Sequence, residues 1–248
     1  MMQRDSIRIS IMSNRAVILA GGQGTRLRPY SIVIPKPLVP IGDLPILEII
    51  IRQLVASGFE RITVAMSQKT QLVQTFFGDG SKWGADIDYT LETEPLGTMG
   101  PLTLIEDAPE NFLILNGDIL TKLDMAQFFE SHVRTGNMLT IAATTRNSKV
   151  DYGVLTGDSN GNLIAFEEKP TSEIEVSMGI YAANKSIVAM VPKGEFYGFD
   201  QLVLDLLSKG EKVGLHRYSG YWRDIGRPED YQAANDEFES MGFGSLGD

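Results

Sequence analysis

Several residue types are scarce or absent in this sequence, and each shortage narrows the class of protein. None of its 248 residues is cysteine, so it can form neither disulfide bonds nor a thiolate metal site. Its two histidines, His132 and His216, have no carboxylate motif around them, and we expect both to be structural or surface residues. No apolar run approaches the roughly 20 residues of a membrane-spanning helix. Residues 1–6 also lead into no apolar stretch of the signal-peptide type, so we expect a cytoplasmic protein without a membrane partner.

Basic residues are outnumbered by acidic ones, 22 to 32, which gives a formal net charge of −10. This balance argues against nucleic acid as a partner, because general nucleic-acid binders need basic patches that neutralise phosphates. An acidic protein can still bind an anionic nucleotide if its pocket is locally basic. A hydrophobic content of 43% is typical of a globular protein, and 248 residues are enough for one large α/β domain.

A glycine-rich segment follows the first strongly apolar run. The run AVIL (residues 16–19) is short enough for a buried parallel strand, and AGGQGTRLRP (residues 20–29) comes next. Closely spaced glycines let backbone N–H groups converge on one point, an arrangement that binds phosphate. Arg26 and Arg28 add positive charge, and Lys36 lies between two prolines that stiffen its segment. The segment matches neither the dinucleotide fingerprint nor a P-loop, and an ordinary strand-to-helix turn stays open as the simpler interpretation.

Strand and helix patterns alternate along the chain, which predicts an α/β fold. We expect a Rossmann-like, mainly parallel sheet with helices on both faces and a smaller β-rich part. Short apolar runs predict strands at residues 62–65, 87–91, 111–115, 139–143, 176–182 and 213–218. Amphipathic patterns predict helices at residues 45–57, 69–77, 125–134, 200–208 and 228–238, and the end of a helix at 102–105. A hairpin with a tight turn at Asn160 and Gly161 is predicted between residues 152 and 166.

We expect one domain over residues 14–241, because no linker rich in Pro, Gly or Ser and no internal repeat interrupts it. Residues 1–13 are expected to be a mobile N-terminal extension, although Ile7, Ile9 and Ile11 alternate with polar residues as in a short edge strand. We expect residues 242–248 to form a C-terminal tail after this domain. A chain that starts at Met12 is therefore expected to keep its melting temperature and its activity.

Several motifs, taken together and in order, resemble those of the sugar-1-phosphate nucleotidylyltransferases. They are LAGGQGTRLRP (19–29), PKPL (35–38), EPLGTMGPL (94–102), LNGD (115–118), FEEKP (166–170) and YWRDIGRP (221–228). The motifs are most similar to those of mannose-1-phosphate guanylyltransferase-like members without a C-terminal β-helix, and the match runs from about residue 16 to residue 231. Taken alone, several of these motifs also fit a plain loop or a strand-end turn. The resemblance implies the nucleotide-diphospho-sugar transferase fold, whose β-rich part binds the sugar.

The resemblance also implies a role for each motif. The residues expected to act in catalysis are Arg26, Lys36, Asp118, Lys169 and Asp224. Asp118 and Asp224 are in addition the expected ligands of Mg²⁺, the implied cofactor, since hard cations prefer carboxylate and phosphate oxygens. The expected nucleotide-binding residues are Ala20, Gly21, Gly22, Gly24, Thr25, Glu92, Pro95, Gly97, Thr98, Asn116 and Gly117. The expected contacts to the sugar phosphate are Gly153, Glu168, Lys169, Ser177 and Gly179, of which Ser177 replaces an asparagine common in relatives.

The implied reaction joins a nucleoside triphosphate to a sugar 1-phosphate and releases pyrophosphate. Glu92 favours GTP, because a carboxylate accepts two parallel hydrogen bonds from guanine, but UTP, dTTP and CTP stay open. The identity of the sugar and the formation of a homo-oligomer stay open as well. One alternative is a subunit that binds nucleotide or sugar without turnover, although all the charged positions of the family are filled. A Rossmann dehydrogenase is disfavoured, since the dinucleotide fingerprint is missing.

Overall fold

The computed structural model describes residues 14–22, 24–67 and 71–244, and a seven-stranded sheet lies at its centre. The strands are β1 (Arg15–Leu19), β2 (Pro40–Ile41), β3 (Leu44–Pro45), β4 (Arg61–Ser67), β5 (Asp86–Glu92), β6 (Asn111–Asn116), β7 (Ile119–Thr121), β8 (Leu139–Lys149), β9 (Gly153–Gly157), β10 (Leu163–Glu168), β11 (Thr171–Asn184), β12 (Val213–Arg217) and β13 (Trp222–Asp224). The helices are α1 (Ile46–Ala56), α2 (Gln71–Phe77), α3 (Met125–Thr135), α4 (Phe199–Ser208) and α5 (Pro228–Met241). Short 3₁₀ turns occur at Thr25–Leu27, Lys36–Leu38, Ser81–Trp83, Gly100–Leu104 and Lys185–Met190.

The strand order of the sheet is β12-β8-β11-β6-β1-β4-β5. β6, β1, β4 and β5 run parallel to one another, and β12 runs parallel to β8. β11 is antiparallel to both of its neighbours. The predicted α/β class with a mainly parallel sheet is therefore confirmed, and the antiparallel β11 makes the sheet a mixed one.

Successive residues of the central strands point to opposite faces of the sheet and build two cores. In β1, Ala16 and Ile18 belong to one core and Val17 to the other. Helices α1, α2, α3 and α5 contribute to the first core, and α4 contributes to the second. The longest of these helices, α5, has 14 residues, and among the described residues no helix is long and apolar enough to cross a membrane.

Local sequence signals set the boundaries of the helices. Pro45 immediately precedes α1, where its missing N–H leaves no intrahelical bond unmade. The Asp124 carboxylate accepts the Gln127 N–H (2.9 Å) and caps the start of α3. Gly136 ends α3 with a φ of +58°, a conformation that suits glycine. Both α1 and α3 lie where the sequence predicts them, within two residues at each end.

Two predicted elements differ from the structure, and some predictions lie outside the described residues. The segment predicted as a helix end is a 3₁₀ turn, Gly100–Leu104, because Pro101 and the short length disfavour a longer helix. The predicted hairpin of β9 and β10 forms, but its loop spans residues 158–162 and is closed by Asp158, whose carboxylate accepts the N–H of Asn162 (2.8 Å). Residues 1–13, and with them the extension and its alternative edge strand, lie outside the described part, as do residues 68–70 and 245–248.

Two long strands carry a small β-rich extension of the sheet, which we call the arm (residues 144–176). Residues 144–149 of β8 pair with residues 171–176 of β11, beyond the last pairs that β12 and β6 make with these strands. β9 and β10 connect them at the tip. At the base of the arm the register of β11 shifts between Ser177 and Tyr181, and Gly179 has a φ of +72° there. The arm is mostly exposed, whereas residues 178–183 of β11 are buried.

Candidate active site

A cavity of about 410 Å³ opens at the carboxyl edge of the parallel strands. It lies where the chain order reverses, because β4 and β5 continue on one side of β1 while β6 lies on the other. The residues that line it are Leu19, Gly21, Gly22, Ala65, Glu92, Pro95, Gly97, Thr98, Pro101, Asn116, Asp118 and Phe196. An adjoining cavity of about 30 Å³ is lined by Leu19, Ala20, Gly22, Lys36, Pro37, Gly117 and Asp118. Of the predicted nucleotide-binding residues, all but Gly24 and Thr25 line one of these cavities.

The loop after β1 is held against the neighbouring strands. The Ala20 N–H donates to the Ala65 carbonyl (2.8 Å), and the Gly117 N–H donates to the Leu19 carbonyl (2.9 Å). A Cβ on Gly21 would lie 2.3 Å from Oε1 of Glu92, so a side chain there would force the end of the Glu92 side chain to move. A Cβ on Gly22 would meet nothing within 4 Å, so its backbone faces open space. This loop therefore presents bare backbone to the cavity, as a phosphate-binding loop requires.

Two carboxylates from distant motifs meet at the floor of the site. Asp118 follows β6, and Asp224 ends β13, which pairs with β7 so that Asp224 lies opposite Ile119. The Ile225 N–H donates to the Asp118 carbonyl (2.9 Å) and ties the two segments together. We call Asp118 and Asp224 the acidic pair. Burial raises the pKa of Asp224, and the negative charge of Asp118 raises it further.

Two cations accompany the acidic pair. The side chain of Lys36 is 10% exposed, and its ammonium forms an ion pair with Oδ2 of Asp118. Arg26 is exposed, but its guanidinium reaches toward Asp224, since a Cβ on Gly226 would lie 3.6 Å from Nη2 of Arg26 and 3.4 Å from Oδ1 of Asp224. Both cations oppose the rise in the Asp224 pKa that burial causes.

The acidic pair fits a divalent metal ion of the kind that the sequence implies. Oδ1 of Asp224 is buried and has no hydrogen-bond partner, and such an atom is costly unless a ligand satisfies it. Asp118 supplies a second hard oxygen donor beside it. Within residues 14–22, 24–67 and 71–244, no group of three or more His, Cys, Asp or Glu could hold an ion by itself. The remaining ligands would be phosphate oxygens and water, which Mg²⁺ commonly keeps.

The loop after β5 forms the wall next to the predicted base-binding residue, Glu92. Oε2 of Glu92 accepts the N–H of Leu96 (3.1 Å), which fixes the carboxylate at the mouth of the cavity. Gly97 has a φ of +76°, and a Cβ there would lie 2.7 Å from the carbonyl oxygen of Tyr197. Its lack of a side chain is thus explained by contact with the Tyr197 segment as well as by its position on the cavity wall.

The predicted sugar contacts lie on the arm and at its base. Gly153 and Glu168 are opposite each other in the ladder of β9 and β10, and a Cβ on Gly153 would lie 2.6 Å from the Phe166 ring. Lys169 has a φ of +48°, the one positive φ outside glycine among the described residues. Gly153, Glu168 and Lys169 are exposed, and none of them lines either cavity. The two cavities therefore contain the predicted nucleotide half of the site and not the predicted sugar half.

The base of the arm nevertheless packs directly on β6 and β7, the strands on either side of Asp118. A Cβ on Gly179 would lie 2.6 Å from Nδ2 of Asn116 and 2.5 Å from Cδ1 of Ile119. The Gly179 N–H donates to Oγ of Ser177 (3.2 Å), so this serine closes the bulge by a hydrogen bond to the backbone. Ser177 also bonds to the Tyr181 hydroxyl (3.3 Å). Gly179 thus packs on Asn116 and Ile119, on either side of Asp118, and Ser177 holds the turn that contains Gly179.

Sequence reasoning missed some features of the site. Phe196 lines the larger cavity, but no motif surrounds it, and adjacent aromatic residues before a helix are usually read as core. The ion pair of Lys36 with Asp118 was also missed, because the two residues are far apart in the chain. Contacts between distant residues leave no local signal in one sequence.

Comparisons with known proteins agree with the geometry. The family model described as "Nucleotidyl transferase" matches residues 15–241. Mannose-1-phosphate guanylyltransferase of Mycobacterium tuberculosis is 32% identical over 224 residues, which cover 87% of this chain and 62% of that protein. UTP–glucose-1-phosphate uridylyltransferase of Synechocystis is 33% identical over 243 residues, which cover 89% of this chain and 62% of that protein. This chain thus spans less than two thirds of the length of both relatives.

One solved structure is similar to this chain over nearly its whole length, a larger share than in the two relatives above. The crystal structure of HddC from Yersinia pseudotuberculosis, complexed with GMP-PN, is 31% identical to this chain with a TM-score of 0.69. The similarity covers 91% of this chain and 99% of that one. With the family match over residues 15–241, these findings confirm the family predicted from the motifs, and this chain belongs to the nucleotidyl transferase family.

Proposed function

We propose that this protein transfers a nucleotidyl group from a nucleoside triphosphate to a sugar 1-phosphate, giving a nucleotide sugar and pyrophosphate. The observation that carries the proposal is the pairing of β13 with β7, which brings Asp224 to Asp118 beside Lys36 and the glycine loop. Carboxylates for a cation, a lysine and a phosphate-binding loop together suit a reaction between two polyanions. Family membership supports the same class of reaction.

One P–O bond forms and another breaks in this reaction. A phosphate oxygen of the sugar 1-phosphate attacks the α-phosphorus, and the bond from that phosphorus to the bridging oxygen breaks as pyrophosphate leaves. Because the nucleophile is already an anion, no covalent enzyme intermediate is required. The residues of this chain have to hold two anions in line and offset the charge that builds up between them.

We assign the positive charges according to their positions. Arg26 and the backbone N–H groups of Gly21 and Gly22 would hold the β- and γ-phosphates, since this loop presents bare backbone to the cavity. Lys36, beside Asp118, would stabilise the charge near the α-phosphate. Lys169, which is exposed on the arm, would bind the phosphate of the sugar 1-phosphate.

Asp118 and Asp224 would hold Mg²⁺, which would neutralise phosphate charge and polarise the α-phosphate. The unpartnered oxygen of Asp224 supports this assignment. Without a cation the acidic pair would repel a triphosphate, and the unpartnered oxygen of Asp224 would be costly at its buried position.

GTP is the nucleotide that we propose. The Glu92 carboxylate lies on the cavity wall, and its bond to the Leu96 N–H still leaves lone pairs on both oxygens for the two adjacent N–H donors of guanine. The relatives include a guanylyltransferase and a uridylyltransferase, so homology alone does not choose the base. Mannose, glucose, a heptose and an amino sugar all agree with the exposed position of Glu168.

The test is a matrix of the four nucleoside triphosphates against several sugar 1-phosphates, with pyrophosphate as the readout and mass spectrometry of the product. We expect pyrophosphate only when both substrates and Mg²⁺ are present, and most of it with GTP. Reactions without the sugar phosphate measure hydrolysis and serve as the control.

Each part of the proposal has its own contradicting result. If UTP or dTTP is turned over tenfold better than GTP, the assignment of the base to Glu92 is wrong and the reaction class stands. If nucleotides bind but no pair releases pyrophosphate, the protein is a binding subunit and the proposed reaction is wrong.

A further inference from the structure

We propose that Phe196 binds the nucleotide by stacking on the face of its base, a role that rests on the proposed function and that no motif assigns. Phe196 lines the cavity of about 410 Å³ together with Gly21, Gly22 and Glu92. Its side chain is 66% exposed, whereas the next residue, Tyr197, is 6% exposed. The apolar ring therefore lies at the cavity and contributes little to either core.

The backbone at Phe196 is held in place on its C-terminal side. The Tyr197 N–H donates to the Leu96 carbonyl (2.9 Å), and the Tyr197 carbonyl accepts the Met99 N–H (3.0 Å). The Gly198 N–H donates to Oε1 of Gln201 (2.7 Å) at the start of α4. An aromatic ring on a fixed backbone loses little freedom when a ligand covers it, which favours binding.

A short chain of hydrogen bonds connects Phe196 to the residue proposed to read the base. Glu92 accepts the Leu96 N–H (3.1 Å), and the Leu96 carbonyl accepts the N–H of the peptide bond between Phe196 and Tyr197 (2.9 Å). Gly97 lies between the two segments and is in close contact with the Tyr197 backbone. The carboxylate and the ring therefore belong to one connected wall, and a base that reaches the carboxylate with its edge can lay its face on the ring.

Stacking of the base on Phe196 and hydrogen bonding of its edge to Glu92 predict different effects on nucleotide binding. Every base has a π-face, so stacking tolerates any base, whereas hydrogen bonds to Glu92 distinguish one base from another. Loss of the Phe196 ring should weaken all nucleotides and leave their order of preference unchanged. Loss of the Glu92 carboxylate should change that order.

The experiment is equilibrium dialysis of GTP and UTP, without sugar phosphate, against the wild type, Phe196→Ala and Phe196→Tyr. The matched control is Leu204→Ala on α4, since Leu204 is 65% exposed but does not line the cavity. We expect Phe196→Ala to raise the Kd of both nucleotides by about 5- to 150-fold, the range for removal of a stacking aromatic residue. Phe196→Tyr and Leu204→Ala should stay within about threefold of the wild type.

Inorganic tripolyphosphate, which has no base, separates stacking from a general disturbance of the site. Its Kd should be the same for the wild type and Phe196→Ala. A second readout is Phe196→Trp, in which bound GTP should quench the added indole, whereas the indole of Leu204→Trp should be unaffected.

Two results would overturn the inference. One is an unchanged Kd for both nucleotides in Phe196→Ala, and the other is an equal loss for tripolyphosphate and GTP. Because these titrations need no turnover, they stay decisive even if the wild type binds nucleotide without releasing pyrophosphate.

Discussion

Lys169 holds a backbone conformation that disfavours its own side chain. Its φ of +48° lies in the left-handed region, which costs a non-glycine residue about 1–2 kcal/mol. Such strain is often retained at functional positions. We expect Lys169→Gly to leave the melting temperature unchanged or slightly raised, because glycine relieves the strain but makes the unfolded chain more flexible. The same variant should lose at least about a hundredfold in turnover if the ammonium neutralises the sugar phosphate in the transition state.

Lys149 provides the matched control on the same arm. It lies in β8 opposite Thr171, where glycine weakens a strand by about 0.5–1 kcal/mol. Lys149→Gly should therefore lower the melting temperature and leave turnover unchanged, the reverse of the result for Lys169→Gly. If Lys169→Gly keeps wild-type turnover, the proposed role of its ammonium is wrong.

His132 is buried in its neutral form, which makes the stability of the fold depend on pH. Its Nε2 donates to Asn111 Oδ1 (3.2 Å), and its Nδ1 accepts from the Thr140 hydroxyl (2.8 Å), so a second proton would break this arrangement. Burial lowers the pKa of His132 to about 4, whereas the unfolded chain has the ordinary value of about 6.5. Below pH 6.5 the unfolded state binds the extra proton first, so stability is lost as the pH falls toward 4.

The measurement is the free energy of unfolding by urea between pH 7 and pH 4.5. The wild type should lose up to about 1.4 kcal/mol per pH unit from this residue over that range. His132→Gln is expected to be less stable at pH 7 but to show a smaller slope, while His216 and the carboxylates titrate in both proteins. Equal slopes would show that His132 does not titrate in this range.

The contact between the loop after β5 and the Tyr197 segment joins two elements that are far apart in sequence. Gly97 and Gly194 share a φ of +76°, but a Cβ on Gly97 would lie 2.7 Å from a backbone oxygen, and one on Gly194 would meet nothing within 4 Å. Alanine at either position carries the left-handed strain of about 1–2 kcal/mol. Only Gly97→Ala has to push the two segments apart as well.

We therefore expect Gly97→Ala to lower the melting temperature more than Gly194→Ala does. It should also raise the KM for the nucleotide, because the cavity wall shifts, while Gly194→Ala leaves that KM unchanged. Thermal melts and initial rates on both variants check this. A KM that rises equally in the two variants would mean that strain, and not the contact with Tyr197, controls the wall.

The individual strands and helices show which structural features can be predicted from one sequence. The apolar runs of β1 and β6 identify buried strands, and Asp124 and Gly136 predict the limits of α3. The antiparallel direction of β11 was not predictable, because a run of alternating residues carries no information about its neighbours in the sheet. The length of β8 and β11 was missed for a related reason, since residues 145–149 of β8 and 171–175 of β11 are exposed and no buried apolar run marks them.

For the whole molecule, the topology of the sheet explains why a site can be predicted from separate motifs. The glycine loop and the LNGD motif follow β1 and β6, which are neighbours on either side of the reversal in chain order, so their ends meet. Asp224 reaches the same place through the pairing of β13 with β7. Phe196 and the ion pair of Lys36 with Asp118 depend on packing between distant segments, and no single motif indicates them.

The central claim is that Asp118 and Asp224 act as one unit that holds the catalytic cation. The most direct measurement is kcat at limiting Mg²⁺ for Asp118→Asn, Asp224→Asn and the double variant, with Asp230→Asn as the control. Asp230 lies in the first turn of α5, and its charge also raises the pKa of Asp224, so this variant changes the local charge without changing the acidic pair.

Each single variant of the acidic pair should lose at least about a hundredfold in kcat, and the double variant should lose little more, since residues that act as a unit are not additive. Asp224→Asn should not lower the melting temperature, because its Oδ1 has no partner to lose, whereas Asp118→Asn should lower it by leaving Lys36 without its ion pair. Asp230→Asn should stay within about threefold of the wild type. Near wild-type kcat in both single variants, or losses that multiply in the double variant, would contradict the claim.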